Sequence, residues 1–181
     1  FDYSLENRVQ ILIFNRLSDL KQTNLGTGAE SALSLGGTGR QSGNKLFLYS
    51  DDGQADLYAQ LREALSQLMV SELLFGTDLK DKIRSSGFLY VPEWYLKGLT
   101  SWISEPWDSR AEGILKDGFY SGRFSFPEHL KGEDAVVFGR SVWRFVAEVY
   151  GERIIPDILD MTHVSRNVDG GFRYVLGLKF R

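Results

Sequence analysis

Cysteine is absent from the sequence, and histidine occurs only twice, as His129 and His163. Without cysteine the chain has no disulfide, no thiolate nucleophile and no cysteine-ligated zinc or iron–sulfur site. Two histidines leave little room for chemistry that depends on clustered imidazoles. No apolar run approaches the ~18 residues that a membrane-spanning helix requires, so we expect no transmembrane segment in this chain.

A basic surface is also lacking, because 21 Lys and Arg residues stand against 24 Asp and Glu, which gives a net charge of −3. A nucleic-acid partner is therefore not expected. The chain has 181 residues, of which 43% are hydrophobic, and this is enough for one packed domain, predicted to span residues 1–181. Because it begins at Phe1 rather than Met, we expect it to be a processed or trimmed part of a longer protein.

The spacing of apolar residues predicts an α+β fold, with a small N-terminal β-sheet and a mostly helical remainder. Strands are predicted over residues 8–15 and 45–49. The Gly- and Ser-rich stretch 23–44 predicts a long loop or weak hairpin, most mobile over residues 25–43. The predicted helices are 16–20, 51–75 (with Asp51 and Asp52 as N-caps and Gly76 as C-cap), 78–85, 92–104, 108–116, 132–150 and 153–161. The apolar tail 172–180 is compatible with either strand or helix.

Three motifs follow one another along the chain. The strand KLFLY precedes the helix that holds residues 61–67, the next helix carries the pattern P-x-W-x-x-x-G-L from Pro92 to Leu99, and residues 135–151 read AVVFGRSVWRFVAEVYG. This order resembles the peptidase-MA-like branch of the gluzincin metallopeptidases over roughly residues 5–160. The resemblance implies a zincin-like fold.

The resemblance also implies that the zinc site of that family has been lost. The family's H-E-x-x-H helix puts two imidazoles one turn apart to bind zinc, with the intervening Glu as general base, and a Glu on the following helix is the third ligand. Matched to those motifs, Arg62 and Ser66 stand at the histidine positions, Glu63 at the base and Lys97 at the third ligand. A cation repels Zn²⁺ and offers it no lone pair. We therefore expect no metal, no cofactor and no catalytic residue, although Arg62, Glu63 and Ser66 could equally be the polar side of an ordinary helix.

The end of the chain carries a second resemblance. Residues 165–172 and the YVLG that follows resemble the segment that closes such domains in exported bacterial proteins, where a TolB-like, WD40-like β-propeller comes next. This implies a periplasmic or outer-membrane-associated location. It also implies that the partner is another protein or the adjacent propeller.

Three functions from different classes remain open. The first is a non-catalytic scaffold or protein-interaction module in the bacterial cell envelope, that is, a pseudoenzyme. The second is a metal-independent residual hydrolase, in which Glu63 would be the acid–base group and Lys97 or Arg62 would stabilise an anion. The third is a cell-surface glycan-binding module that uses tryptophans as stacking platforms. The four tryptophans are Trp94, Trp102, Trp107 and Trp143, and we expect burial of all except Trp107.

Contacts between elements can be predicted as well. We expect the helix that carries Trp94, Leu99 and Trp102 to pack against Leu61, Leu65 and Leu68 of the long helix. We expect Lys97, or failing that Arg62, to pair with Glu63 between the two helices. His129 is predicted to lie at the surface, and His163 to cap the C-terminal end of its own helix.

Overall fold

The computed structural model describes residues 5, 8–23, 40–42, 44–50, 54–75 and 91–179. Several expectations lie outside these residues: the mobility of 25–43 (except 40–42), the caps at Asp51, Asp52 and Gly76, and the helix over 78–85. Within the described ranges the chain is α+β and mostly helical, with a small sheet near the N-terminus, as the sequence predicts.

The sheet has three strands, β1 (Gln10–Phe14), β2 (Arg40–Ser42) and β3 (Lys45–Tyr49), in the order β1-β3-β2. β1 runs parallel to β3, with Gln10 opposite Lys45, and β2 runs antiparallel to it, with Ser42 opposite Lys45. The central strand buries Leu46, Phe47 and Leu48. Both predicted strands are confirmed, and β2 pairs as a hairpin at the end of the Gly- and Ser-rich stretch.

Seven α-helices lie in the described part of the chain: α1 Leu17–Gln22, α2 Gln54–Phe75, α3 Glu93–Ser104, α4 Ser109–Tyr120, α5 Gly132–Tyr150, α6 Ile154–Ser165 and α7 Val168–Leu176. α5 has the predicted bounds. α4 and α6 are one turn longer than predicted, and the apolar tail is helical through Leu176. Short 3₁₀ turns at Arg123–Ser125 and Pro127–His129 join α4 to α5, and His129 is exposed there, as predicted.

Polar side chains fix several helix ends. Asp108 accepts a hydrogen bond from the Ala111 amide at 2.8 Å and so caps α4. The prediction that His163 caps its own helix is wrong. Its Nδ1 lies 2.7 Å from the carbonyl oxygen of Leu74, in the last turn of α2. The imidazole therefore satisfies a terminal carbonyl of a different helix, which the sequence could not indicate.

Two hydrophobic clusters divide the length of α2. The larger cluster contains Trp94 and Leu99 of α3 together with Val70 and Leu74 of α2. The smaller one lies under the sheet and includes Leu61 and Leu65. α2 does contact α3, as predicted, but the prediction that Leu61 and Leu65 face α3 is wrong. A helix of 22 residues is about 33 Å long, so its first half covers the sheet and its second half reaches the helical bundle.

The centre of the bundle is the crossing of α3 and α5, where two glycines bring the backbones together. A Cβ at Gly139 would collide with the Trp94 carbonyl group and lie 3.0 Å from Gly98 Cα, and a Cβ at Gly98 would collide with the Gly139 backbone. Gly98 belongs to the P-x-W-x-x-x-G-L motif and Gly139 to the 135–151 motif. These motif glycines therefore meet at one helix contact, where no larger residue fits.

Candidate functional site

Arg62 and Ser66 occupy the two positions that the resemblance matches to the histidines of the zinc motif, and their side chains do not converge on a common point. Ser66 is buried, and its hydroxyl donates a hydrogen bond to the Arg62 carbonyl oxygen at 2.7 Å, one turn earlier in α2. The Arg62 side chain is exposed, and Glu63 between them is half-buried. The hydroxyl is thus used inside its own helix, a common role for a serine within a helix.

Lys97, at the position of the third ligand, forms an ion pair within α3. Its Nζ is 2.7 Å from Oε2 of Glu93, one turn earlier, and both side chains are half-buried. In the part of the chain that the structure describes, neither Lys97 nor Arg62 pairs with Glu63, so that prediction is wrong. A partner at i−4 on the same helix requires less side-chain ordering than one on another helix, and it prevails here.

Glu93 is the centre of a small electrostatic network. Its Oε1 lies 3.3 Å from Lys131 Nζ, and its Oε2 accepts a hydrogen bond from the Gly132 amide at 3.3 Å. The hydrogen bond from Lys97, helped by those from Lys131 and Gly132, lowers the pKa of Glu93 below its ordinary value despite partial burial. The network therefore joins the start of α3 to the start of α5.

The described residues also contain no group of three or more His, Asp or Glu side chains placed to hold a metal ion. The positions matched to the zinc motif supply one carboxylate, Glu63, and no imidazole. His163 is bound to the Leu74 carbonyl, and His129 lies in an exposed turn.

The four tryptophans fall into two pairs. Trp94 and Trp143 are 3% and 0% exposed and lie in the core, where Trp143 Nε1 donates to the Tyr95 carbonyl oxygen at 2.8 Å. Trp102 and Trp107 are half-buried and line one open cleft of about 310 Å³. Burial of Trp94 and Trp143 is as predicted, whereas the expected burial of Trp102 is wrong. Trp102 lies near the end of α3, where the cleft opens beside it.

Two arginines of α5 organise this cleft around Trp107. The guanidinium carbons of Arg140 and Arg144 lie 5.4 Å and 5.2 Å from the centre of the indole ring, within the range of cation–π attraction. The indole N–H donates to Glu112 Oε2 at 3.0 Å. That hydrogen bond, with Lys116 beside it, lowers the pKa of Glu112. Trp107 is thereby fixed against α4 and α5 although it lies between helices.

Each of the two arginines also has an oxygen partner. Arg140 is only 5% exposed, and its guanidinium donates to Glu105 Oε2 at 3.3 Å and to the Pro106 carbonyl oxygen. Arg144 Nε donates to Glu148 Oε1 at 2.7 Å. This site was not predicted from the sequence. The available signal was two arginines one turn apart, Arg140 and Arg144, followed at the same four-residue spacing by Glu148 and Glu152.

No protein-family model, no curated protein and no solved structure matches the chain. The resemblance to the gluzincins therefore depends on the three sequence motifs alone. Among the helices of the described ranges, none has the length and apolar character needed to cross a membrane.

Proposed function

We propose that this chain is a catalytically inactive, zincin-like domain that acts as a scaffold or protein-interaction module in the bacterial cell envelope. One observation carries the proposal: two side chains at positions matched to zinc ligands form contacts within their own helices. Lys97 is paired with Glu93, and the Ser66 hydroxyl is bonded to its own helix. A cation held in place by a carboxylate cannot donate a lone pair to zinc.

The surface supports an interaction role. Phe119, Tyr120 and Phe126 are 61%, 91% and 65% exposed around the end of α4. Phe145, Val149 and Tyr150 are also exposed on the second half of α5. Large apolar side chains exposed in groups are typical of surfaces that bind other proteins.

The cellular setting follows from the resemblance of the C-terminal segment. An exported protein of the periplasm or outer membrane, with a β-propeller after this domain, would supply either an internal partner or a neighbour for the domain to hold. We propose that location and that partner on this basis.

The residual-hydrolase alternative needed Lys97 or Arg62 to stabilise an anion beside Glu63. The charge of Lys97 is compensated by Glu93, and Arg62 is exposed, so the geometry favours this alternative less. The glycan-binding alternative is reduced from four tryptophans to Trp102 and Trp107, which share the cleft.

A zinc-binding experiment tests the proposed function. The purified chain is dialysed against zinc and then metal-free buffer, its zinc content is measured by mass spectrometry, and its melting temperature is recorded with and without zinc. We expect substoichiometric zinc and an unchanged melting temperature. If the chain had a specific zinc site, free zinc at 100 times the Kd of that site would stabilise the fold by about 2.7 kcal/mol. One tightly held zinc per chain in the native sequence would refute the proposal.

A variant that restores the motif sharpens the test. The triple substitution R62H/S66H/K97E supplies both imidazoles and the third carboxylate, while R62A/S66A/K97A makes the same truncations without ligands. We expect only the first variant to bind one zinc per chain. Failure of a folded R62H/S66H/K97E variant to bind zinc would contradict the match to the family's motifs.

A further inference from the structure

The charged side chains that line the cleft beside Trp102 indicate which class of ligand it can bind. Its two cations, Arg140 and Arg144, are already matched by Glu105, the Pro106 carbonyl and Glu148. Both guanidiniums are also held against the Trp107 ring. An anionic ligand would therefore have to displace an existing carboxylate from a buried or stacked arginine, and the cleft is poorly suited to anions.

One carboxylate of the lining remains available. Glu152 follows the end of α5, its side chain is exposed, and in the described residues its carboxylate has no hydrogen-bond or ion-pair partner. Glu105, Glu148 and Glu152 together exceed the two arginines by one negative charge. Glu152, whose carboxylate has no partner among the described residues, thus shares the lining of the cleft with a half-buried aromatic wall, Trp102.

We propose that this cleft binds a lysine or arginine side chain from a protein partner. An ammonium or guanidinium group is attracted both by a carboxylate and by the face of an indole ring. A volume of about 310 Å³ lies at the lower end of the ~300–1,000 Å³ of ligand pockets, which suits one long side chain better than an oligosaccharide. The inference rests on the proposed function, because it takes the ligand to be part of a protein, and it names the chemistry by which that partner is recognised.

The experiment is a titration of the intact chain with tetralysine amide at physiological ionic strength, followed by tryptophan fluorescence and by NMR of the indole N–H groups. Binding should shift the Trp102 indole signal. Glu152→Gln keeps the shape of the side chain and removes its charge, and it should weaken binding about three- to fivefold, as expected for an exposed ion pair. Asp160→Asn is the matched control, because Asp160 is an exposed carboxylate on α6 outside the cleft. It should change the affinity by less than about twofold.

A second variant tests the aromatic wall. Trp102→Phe retains a ring for packing but has a weaker cation–π attraction, and it should also weaken tetralysine binding, followed here by the Trp107 indole signal, while the melting temperature reports that the fold is kept.

Three results would overturn the inference. They are absence of tetralysine binding, equal binding by the Glu152→Gln and Asp160→Asn variants, and binding of tetraglutamate or chitotetraose at the Trp102 signal in place of tetralysine. The last result with chitotetraose would favour the glycan-binding alternative. Zinc bound by the native chain would refute the proposed function without affecting this titration, so the two failures are distinguishable.

Discussion

The contact between Gly98 and Gly139 can be tested by a single added methyl group. In Gly139→Ala the new Cβ would collide with the Trp94 carbonyl group and approach Gly98 Cα to 3.0 Å. These are backbone atoms, so no side-chain rotation relieves the contact, and α3 and α5 must separate. The same crossing holds Trp94, Tyr95 and Trp143, and separation would loosen their packing.

We expect Gly139→Ala to lower the free energy of unfolding by about 3 kcal/mol, the upper part of the range for overpacked cores. For a domain of this size that corresponds to a fall in melting temperature of about 6–12 °C. Gly113→Ala is the matched control. Gly113 is an exposed glycine within α4, and a Cβ there meets nothing within 4 Å. It should stabilise the chain by about 0.5–1 kcal/mol, because alanine is the better helix former.

The assay is urea unfolding followed by far-ultraviolet circular dichroism, with thermal unfolding alongside. Gly98→Ala adds a methyl to the other side of the same contact, and the double variant should cost less than the sum of the two single ones, since helices already separated by one methyl accommodate a second. A stability of Gly139→Ala within about 1 kcal/mol of the native chain would refute the close approach of α3 and α5.

Two further predictions concern polar groups of α3. Because the pKa of Glu93 is lowered mainly by Lys97, its carboxylate contributes stability above the ordinary pKa of 4.5 and loses that contribution as the pH falls. Lys97→Met should therefore be less stable than the native chain at neutral pH, and the difference should vanish on acid titration; a difference that persists in acid would show that lost packing, not the ion pair, is responsible. The hydroxyl groups of Tyr95 and Thr162 lie 2.9 Å apart in the core, where burial raises the pKa of Tyr95 and keeps it neutral. Tyr95→Phe should lower the free energy of unfolding by about 1–2 kcal/mol in urea titrations, and an unchanged value would contradict this hydrogen bond.

The identity of the elements could be predicted from the sequence because the signals are local. Alternation of Val9, Ile11 and Ile13 marks β1, and the short apolar run of Lys45–Tyr49 marks β3. Apolar residues at helical spacing, bounded by Pro92 and Gly151, mark α3 and α5. The α+β class follows from their order. The two motif glycines were visible as well, although the sequence did not show that they contact each other.

The partner of each side chain was decided only by the tertiary structure. Lys97 had two possible carboxylates, and Glu93 prevails because it lies one turn away on the same helix, whereas Glu63 lies on another. Leu65 and Leu74 both lie on α2, but nine residues place them on opposite sides of the helix, about 180° apart, and they pack in different clusters because one helix spans two layers.

The cleft has the same origin. Its walls come from the end of α3 and the connection to α4 on one side, and from α5 and Glu152 on the other, which are about 40 residues away along the chain. The spacing of apolar residues along the sequence determines which segments are helices and which face of each helix is apolar, and this is why the elements of the protein could be predicted. The positions of two helix ends relative to each other depend on packing across the whole domain. Only this packing brought Trp102, Arg140 and Glu152 together around one opening.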